Sequence, residues 1–255
     1  MSVIDFSLEG KVAIVTGGSR GIGRSIAIGL AESGADVTIA ARKPESLEEA
    51  VGAVQATGRR GLGIPTNVRE LDSLQALVDQ TKAELGRVDI LINNAATNPI
   101  FGPVDNVDER AWDVVMNTNV KSAFFLAKAA REAMKEHGEG GSIINVSSVG
   151  GIRASVQLPI YSISKAAIIM MTQVLAAQWG KDNIRVNCIA PGLIKTDFSR
   201  ALWDSGDAAG VESNDVALGR IGMPDEMAGG VVYLASPAGA FVTGQTLVLD
   251  GGGVL

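Results

Sequence analysis

Short apolar runs alternate with amphipathic segments along almost the whole chain. The first run, 11–16, is β-branched and stops at a cluster of glycines, after which Ile22, Ile26 and Leu30 follow at helical spacing. The same alternation repeats to the end of the chain. It predicts strands at 11–16, 37–41, 61–66, 88–93, 142–147, 184–189 and 245–249, and helices near 22–30, 42–56, 70–85, 108–136, 158–180 and 224–235. Strands and helices that alternate form a parallel sheet with helices on both faces, so the pattern predicts an α/β fold.

The sequence contains no stretch with the composition of a linker between domains. It also lacks low-complexity tracts and internal repeats, so we predict a single domain over residues 1–255. The least regular part is 195–222, which is rich in Asp, Gly and Ser. We interpret it either as a mobile flap over an enclosed substrate site or as a surface excursion.

The predicted helix at 158–180 is apolar around almost its whole circumference. One face of such a helix can pack on the sheet, and the other face needs a partner. The helix at 108–136 is also rich in apolar residues, so the pattern favours a homo-oligomer formed by helix packing. The alternative is a helix that is buried inside the monomer.

The composition excludes several classes of protein. Hydrophobic residues make up 46% of the chain, yet no apolar run approaches the ~20 residues that span a bilayer. The first residues include an acid where a secretory signal carries positive charge, and the net charge of −6 argues against general nucleic-acid affinity. The single Cys188 and single His137 exclude an intrachain disulfide and a multi-His or Cys-rich metal site. We therefore expect a cytoplasmic protein that binds no membrane, nucleic acid or metal.

Tyr161 and Lys165 are the first candidates for chemistry. Their spacing of four residues puts both side chains on one face of the predicted helix. A free tyrosine titrates near pH ~10, and a nearby ammonium group lowers its pKa. A phenol with a lowered pKa is a useful acid or base near neutral pH. The pair predicts a proton-transfer centre if a cofactor site and a group that holds an electrophile lie beside it.

A glycine-rich turn follows the first predicted strand. Gly17, Gly21 and Gly23 are spaced G-x-x-x-G-x-G, which differs from the common G-x-G-x-x-G fingerprint. Glycines at this point let the backbone approach a pyrophosphate, and the next helix offers N–H groups and the positive end of its dipole. The position predicts a nucleotide site; the alternative is a tight connection and nothing more.

Four motifs follow one another along the chain. They are the stretch 16–23 with its three spaced glycines, Asn93-Asn-Ala-Ala96, Tyr161-x-x-x-Lys165 and Pro191-Gly192. In this order and spacing the chain resembles a classical short-chain dehydrogenase/reductase (SDR), from about Leu8 to Gly253. The resemblance implies a single Rossmann-type domain with a doubly wound, seven-stranded parallel sheet. It also implies reversible hydride transfer between NAD(P) and an alcohol or carbonyl compound, and assembly into tetramers.

The resemblance also implies an active site. Tyr161 would be the general acid/base, and Lys165 would hold the nicotinamide ribose and lower the pKa of Tyr161. The family's serine stands thirteen residues before the tyrosine, which selects Ser148 over its neighbour Ser147. The Ser148 hydroxyl would bond the carbonyl oxygen and stabilise the charge that develops there.

The family has a further site residue, an asparagine in the helix between the fourth and fifth strands. It matches Asn119, and the Val120-Lys-Ser that follows favours Asn119 over the competing Asn117. Asn119 would hold a water that relays protons to Lys165.

The residues after the second strand bear on the choice of cofactor. NAD-preferring Rossmann sites carry an acid there, which binds the ribose hydroxyls and would repel a 2′-phosphate. This chain has Ala41-Arg42 instead, and Arg20 lies inside the glycine turn, so two guanidinium groups are placed to bracket a phosphate. We predict NADP(H) rather than NAD(H); the alternative is two solvated arginines. The predicted cofactor-binding residues are Gly17, Ser19, Arg20, Gly21, Ile22, Gly23, Arg42, Asn67, Val68, Asn94, Ala95, Ala96, Tyr161, Lys165, Pro191, Gly192, Ile194 and Thr196.

Two of these residues depart from the family's pattern. Asn67-Val68 replaces the usual Asp-Val after the third strand, and the amide oxygen would accept the same bond from the adenine amine. Ala96 replaces a glycine near the nicotinamide end. Downstream, the Ile194 backbone and the Thr196 hydroxyl would hold the carboxamide.

The expected substrate wall is mainly apolar or neutral. It predicts a compact or moderately hydrophobic ketone or aldehyde, as for the NADP-dependent carbonyl reductases that the chain resembles. The alternative enzyme is a 3-oxoacyl-thioester (carrier protein or CoA) reductase, which the chain also resembles. Those reductases present arginines to the acidic carrier at the positions that Glu139 and Asp182 occupy here. Acids at these positions would repel the carrier, which disfavours the alternative. The alternative from another class is a non-catalytic NADP-binding scaffold or sensor. The predicted substrate-binding residues are Ser148, Gln157, Tyr161, Phe198 and Trp203, with Thr97, Asn98, Leu158 and Leu202 nearby.

Overall fold

Seven strands form one parallel sheet. The structure, a computed structural model, describes residues 4–204 and 216–255. The strands are β1 (Val12–Thr16), β2 (Asp36–Ala41), β3 (Gly61–Pro65), β4 (Ile90–Asn93), β5 (Gly141–Val146), β6 (Ile184–Pro191) and β7 (Thr246–Leu249). They lie in the order β3-β2-β1-β4-β5-β6-β7, and each neighbouring pair is parallel. The predicted seven-stranded, doubly wound parallel sheet is confirmed.

Helices cover both faces of this sheet. They are α1 (Gly21–Glu32), α2 (Glu45–Gln55), α3 (Leu71–Leu85), α4 (Glu109–Met116), α5 (Ser122–Glu136), α6 (Pro159–Trp179), α7 (Arg200–Trp203) and α8 (Ala228–Ala235). Buried residues of α3, α5 and α6 pack against one face, and those of α1, α2 and α8 pack against the other. The prediction of helices on both faces is confirmed.

The central strand β1 supplies side chains to both layers. Ile14 packs with α3, α5 and α6, whereas Ala13 and Val15 pack with α1, α2 and α8. All three side chains are completely buried. Side chains alternate along a strand, and a strand covered on both faces is therefore apolar at successive positions. This explains why the strand was recognisable as a short continuous apolar run.

The predicted helix at 108–136 is interrupted in the structure. α4 begins after Asp108, whose carboxylate accepts a hydrogen bond from the Ala111 backbone N–H at 2.7 Å. Asn117–Lys121 then forms a π-helical turn before α5. Such turns change the direction in which the following side chains point and are frequent at functional sites. The apolar pattern does not reveal this one, because the segments on both sides keep helical spacing.

Helix α6 is long and apolar enough to cross a bilayer by length and composition alone. The most apolar 18-residue window of Pro159–Asp182 has a mean hydropathy of 1.4, and 50% of that window is buried inside the protein. Ile168, Met171 and Leu175 pack into the core beside the sheet. We therefore assign α6 as a core helix of this fold.

The prediction of a single domain over residues 1–255, with a substrate flap at about 195–222, stays a prediction. Within this segment the structure places α7, and Gly222 at its end forms a bridge with Ile194. Residues 205–215 of the predicted flap lie outside the described residues.

Candidate active site

The predicted site residues follow the carboxyl ends of four central strands. The glycine turn follows β1, Asn94 follows β4, Ser148 comes shortly after β5, and Pro191 ends β6. The strand order reverses between β1 and β4, since α1 and α5, which follow these strands, pack on opposite faces. Ligands of doubly wound folds bind at such a switch point. The topology thus brings to one edge of the sheet motifs that are far apart in the chain.

The glycine turn has no room for side chains at its key positions. Gly17 and Gly21 have φ of +63° and +53°, a region that favours glycine. A Cβ on Gly23 would lie 2.4 Å from both the Asn94 Nδ2 and the Gly17 carbonyl oxygen. Arg20 occupies the N-cap of α1 without a side-chain cap, and the first turn of α1 contains no acid. The free N–H groups of this turn can therefore bind an anion such as a pyrophosphate.

Asn94 ties this turn to β4. Its Nδ2 donates to the Thr16 carbonyl oxygen at 2.9 Å and to the Gly17 carbonyl oxygen at 3.2 Å. The Thr16 hydroxyl accepts from the backbone N–H groups of Asn94 and Ala95 at 3.0 and 3.1 Å. Thr16 is not among the site residues that the sequence predicts. Its signal in the sequence is a hydroxyl at the end of the strand, directly before the first glycine.

Ser148, Tyr161 and Lys165 meet where β5 passes over the first turns of α6. The Lys165 Nζ lies 5.4 Å from the centroid of the Tyr161 ring and donates to the Val146 carbonyl oxygen at 2.7 Å. Ser148 lies close enough to the Tyr161 side chain to lower the pKa of its phenol. Ser147 instead points the other way and donates to the Lys165 carbonyl oxygen at 2.7 Å. The geometry thus places Ser148, and not Ser147, beside the phenol.

The electrostatics of this group differ from the expectation that Lys165 lowers the pKa of Tyr161. Burial raises the pKa of Tyr161 to about 12, against a smaller lowering by the hydrogen bond with Ser148. Burial also lowers the pKa of Lys165 to about 8. Desolvation disfavours the charged form of each group. In the free protein, desolvation is therefore the largest influence on the pKa values of both groups.

Asn119 is buried in the π-helical turn and faces α6. Its Oδ1 accepts from the Thr97 N–H at 2.8 Å, and its Nδ2 donates to the Thr97 carbonyl oxygen and to the Ser164 Oγ at 3.1 and 3.0 Å. The fully buried Ser164 hydroxyl donates in turn to the Tyr161 carbonyl oxygen at 2.7 Å. Asn117 lies only partly buried beside Met170 in a surface groove. The choice of Asn119 over Asn117 therefore agrees with the geometry, and Ser164 is a further residue that links Asn119 to α6.

The two arginines assigned to the 2′-phosphate are both exposed. Neither Arg20 nor Arg42 has an ion pair or side-chain hydrogen bond within residues 4–204 and 216–255, whereas the neighbouring Arg24 pairs with Glu49 at 3.2 Å. Asn67 is engaged locally, since its Oδ1 accepts from the Arg69 N–H at 3.3 Å and its Nδ2 donates to Glu70 at 2.6 Å. A bond from Asn67 to adenine would have to share or replace these contacts.

The segment after β6 brings one aromatic side chain to Tyr161. The ring centroids of Phe198 and Tyr161 are 6.0 Å apart, and Phe198 is 46% exposed. Trp203 turns away from the phenol: its Nε1 donates to the Thr196 carbonyl oxygen at 3.1 Å, and its ring lies under Lys195.

Other predicted residues of this region are placed as follows. Gly192 lies against Asp250, where a Cβ would come within 2.7 Å of the Asp250 Cβ, and Ile194 is buried. The Thr196 hydroxyl hydrogen-bonds the Ser199 Oγ at 2.9 Å. Gln157 is exposed and contacts Gly102 through its backbone carbonyl. The structure therefore places Ser148 and Phe198 beside Tyr161, and the roles of Gln157 and Trp203 in substrate binding stay predictions.

Comparison with known proteins agrees with this arrangement. A family model described as enoyl-(acyl carrier protein) reductase matches residues 17–253. Dehydrogenase/reductase SDR family member 4 of Oryctolagus cuniculus is 41% identical over 247 residues, which are 96% of this chain and 94% of that protein. The chain belongs to the short-chain dehydrogenase/reductase family. The SDR also resembles 2-dehydro-3-deoxy-D-gluconate 5-dehydrogenase of Escherichia coli (strain K12), at 39% identity over 251 residues, 97% of this chain and 96% of that protein.

Solved structures similar to this SDR hold either nicotinamide cofactor. A gluconate 5-dehydrogenase from Burkholderia cenocepacia J2315, in complex with NADP and tartrate, superposes with a TM-score of 0.93 at 34% identity, covering 98% of this chain and 97% of that chain. A 7α-hydroxysteroid dehydrogenase complexed with NADH and 7-oxo glycochenodeoxycholic acid has a TM-score of 0.94 at 31% identity, covering 100% and 98%. The SDR is therefore an oxidoreductase that acts on alcohols or ketones with a nicotinamide cofactor.

Proposed function

We propose that this SDR transfers a hydride between NADP(H) and a carbonyl compound or secondary alcohol, with Tyr161 as the acid/base. The observation that carries the proposal is the grouping of Ser148 and Lys165 around Tyr161, with the Lys165 Nζ 5.4 Å from the centroid of the phenol ring, at the same edge of the sheet as the glycine turn. Nucleotide turn, proton donor and carbonyl-binding hydroxyl are the three parts that such a reaction requires.

The residues present fit the proposed cofactor. The uncapped first turn of α1 fits a pyrophosphate, and Arg20 and Arg42 are free to hold a 2′-phosphate. Lys165 would hold the nicotinamide ribose, and the Ile194 backbone and Thr196 hydroxyl would hold the carboxamide. When bound, the nicotinamide supplies or accepts the hydride.

The hydroxyl groups of Ser148 and Tyr161 act on the substrate oxygen. During reduction, the Ser148 hydroxyl donates to the carbonyl oxygen and stabilises its developing charge, while the Tyr161 hydroxyl delivers a proton to it. With a pKa raised to about 12 in the free protein, Tyr161 carries this proton throughout the neutral range. Reprotonation of Tyr161 would pass through Lys165 and a water held near Asn119. Oxidation runs in the reverse sense and needs the phenolate.

The proposed substrate is a compact or moderately hydrophobic ketone or aldehyde. Phe198 stands 6.0 Å from the ring of Tyr161 and leaves nearly half of its surface exposed. Ile152, four residues after Ser148, is 49% exposed. An apolar side chain beside the reacting group favours apolar flanks on the carbonyl carbon.

A panel of carbonyl compounds and alcohols, followed at the nicotinamide absorbance with both cofactors, tests this function. We expect NADPH oxidation with small aliphatic and aryl ketones or aldehydes, and slower turnover with NADH. The panel includes sugar acids and steroids, which the named relatives suggest as competing substrate classes. Tight NADPH binding without turnover of any carbonyl would reject the enzyme and leave the non-catalytic scaffold.

A 3-oxoacyl-thioester reductase is the second candidate, because the two acids cited against it are not free. Glu139 pairs with Arg87 and Lys11 at 2.6 and 2.9 Å. Asp182 pairs with Arg131 and lies near two lysines, which together lower the pKa of its carboxyl group. Three basic side chains therefore offset the charge of Asp182, and the expected repulsion of an acidic carrier is weakened. Acetoacetyl-CoA and an acetoacetyl carrier protein in the same panel separate the two candidates.

We also propose a homo-oligomer, with a tetramer favoured, formed through α5 and α6. Met170, Val174 and Phe125 are 58%, 45% and 37% exposed on these helices. A groove between the π-helical turn, α5 and α6 is lined mainly by Val120, Phe124, Met170, Met171 and Val174. A second copy would cover this apolar surface.

Met170→Glu should dissociate this assembly into smaller species, because it places a charge in the proposed interface. Light scattering after size-exclusion chromatography measures the change in mass. Val104→Glu is the matched control, since Val104 is 64% exposed outside these helices. An unchanged mass for Met170→Glu, or a monomeric parent protein, would contradict the proposed interface.

We place the protein in the cytoplasm. The buried Cys188 is a free thiol, which is compatible with a reducing compartment. Fractionation of cells that express the tagged chain would test the location.

A further inference from the structure

The residues on both sides of Ser148 contact the same peptide group of α6. Ser147, which is 2% exposed, donates from its Oγ to the Lys165 carbonyl oxygen at 2.7 Å. Gly151 packs against this peptide group from another position. A Cβ on Gly151 would lie 2.6 Å from the Lys165 carbonyl carbon and 2.8 Å from both the Lys165 oxygen and the Ala166 nitrogen. The backbone at Gly151 thus lies too close to α6 for a side chain to fit between them.

The backbone conformation at position 151 does not itself require a glycine. The φ angle of Gly151 is not in the left-handed region, so an L-residue could adopt this backbone. The neighbouring Gly150 differs, since a Cβ there would meet its nearest atoms, Ser162 Oγ and Ser148 Oγ, at 3.4 and 3.5 Å. Of these two positions, only 151 requires a glycine for packing. Gly151 packs against the backbone of α6, the helix that bears Tyr161.

The contacts of Ser147 and Gly151 with the Lys165 peptide group fix the position of the Ser148 segment along the axis of α6. The Lys165 Nζ adds a bond to the Val146 carbonyl oxygen at 2.7 Å. Between these anchors the chain makes one tight turn, closed by the Gly151 N–H to the Ser148 carbonyl oxygen at 2.9 Å. Tyr161 lies one helical turn before Lys165, so a shift of the segment along or away from α6 changes the separation of the two reacting hydroxyls.

We propose that Ser147 and Gly151 are positioning residues that clamp the Lys165 peptide group and thereby hold Ser148 against Tyr161. This inference rests on the proposed function and deepens it. Neither residue touches the substrate; they act through the position of Ser148. The clamp explains why two adjacent serines have different tasks, with one binding α6 and the other facing the phenol.

Gly151→Ala is the direct test. The methyl group cannot fit at 2.6 Å from backbone atoms, so the segment must move outward by about 1 Å, a displacement that costs on the order of 100-fold in turnover. We expect kcat to fall by about that factor while the NADPH dissociation constant changes less than about twofold, since the glycine turn is untouched. The pH at which alcohol oxidation is half-maximal should also rise, because the hydrogen bond from Ser148 lowers the pKa of Tyr161. A general loss of stability would leave this pH unchanged.

Ser147→Ala and Gly180→Ala complete the experiment. Ser147→Ala removes one bond of the clamp and should lower kcat by roughly tenfold with the same direction of pH shift, as for one lost buried hydrogen bond. Gly180 ends the same helix, and a Cβ there would meet nothing within 4 Å, so Gly180→Ala should behave as the parent protein. If Gly151→Ala keeps kcat within about threefold, or loses it only in proportion to unfolded protein, the clamp is refuted.

The two proposals can fail separately. A parent protein without activity on any carbonyl would reject the proposed function. A crystal structure of Gly151→Ala then tests the proposed clamp. An outward shift of Ser148 supports the clamp, and an unchanged Ser148–Tyr161 separation overturns it.

Discussion

Tyr161→Phe will lower kcat by roughly 100- to 10,000-fold in either direction, the range for loss of a positioned acid or base. The variant lacks the proton that Tyr161 delivers to the substrate oxygen in the proposed mechanism. Its ring keeps the contact with Phe198, whose centroid lies 6.0 Å away, so the pocket keeps its shape. NADPH binding, measured by fluorescence titration, should therefore stay within about twofold of the parent protein.

Tyr233→Phe is the matched control for this substitution. Tyr233 is the only other tyrosine of the chain and packs with α1 and α2 on the opposite face of the sheet. The control should keep normal turnover. Near-normal turnover of Tyr161→Phe would exclude Tyr161 as the acid.

The raised pKa of Tyr161 also sets the direction of the pH dependence. Because burial holds the pKa near 12 in the free protein, the phenol stays protonated at neutral pH. Carbonyl reduction uses that form and should be nearly independent of pH from 6 to 8, whereas alcohol oxidation uses the phenolate and should rise with pH. Initial rates in both directions measure the two profiles.

Arg42→Asp will lower kcat/KM with NADPH by about 10- to 100-fold, which corresponds to the loss of a hydrogen bond to a charged group. Arg42 is exposed, and among residues 4–204 and 216–255 no carboxylate pairs with its guanidinium group. An aspartate at this position would repel the 2′-phosphate and offer an acceptor to the ribose hydroxyls of NADH. The ratio of kcat/KM for the two cofactors should therefore move toward NADH.

Arg110→Asp makes the same change of charge on the exposed face of α4 and serves as the control. It should leave the ratio unchanged, which separates a local contact from the effect of net charge. A parent protein that prefers NADH would refute the argument from Arg20 and Arg42.

The order of strands and helices was predictable because it depends on local periodicity. β1 is a buried apolar run that ends at glycines, and this pattern is recognisable without knowledge of the rest of the structure. The Tyr161–Lys165 spacing is local in the same sense. The choice of Ser148 depended on family resemblance, since Ser147 has the same chemistry one position earlier.

The π-helical turn at Asn117–Lys121 shows where local reasoning ends. Helical spacing on both sides of the turn predicted one helix, but the contacts of Asn119 with Thr97 and Ser164 join three separate segments. The link from Ser164 to the Tyr161 carbonyl oxygen and the close approach of Gly151 to α6 are of the same kind. Each depends on distances between segments that the periodicity of either segment does not contain.

The pKa values of Tyr161 and Lys165 show most clearly what the sequence determines and what only the tertiary structure decides. Spacing alone placed the two groups on one face of a helix and predicted a lowered pKa for the phenol. Packing under β5 and beside Phe198 removed water from both groups, so that burial raises the pKa of Tyr161 to about 12 and lowers that of Lys165 to about 8. Residue type and spacing therefore determined which groups can exchange protons, while the solvation that sets their pKa values arises only when distant segments pack around them.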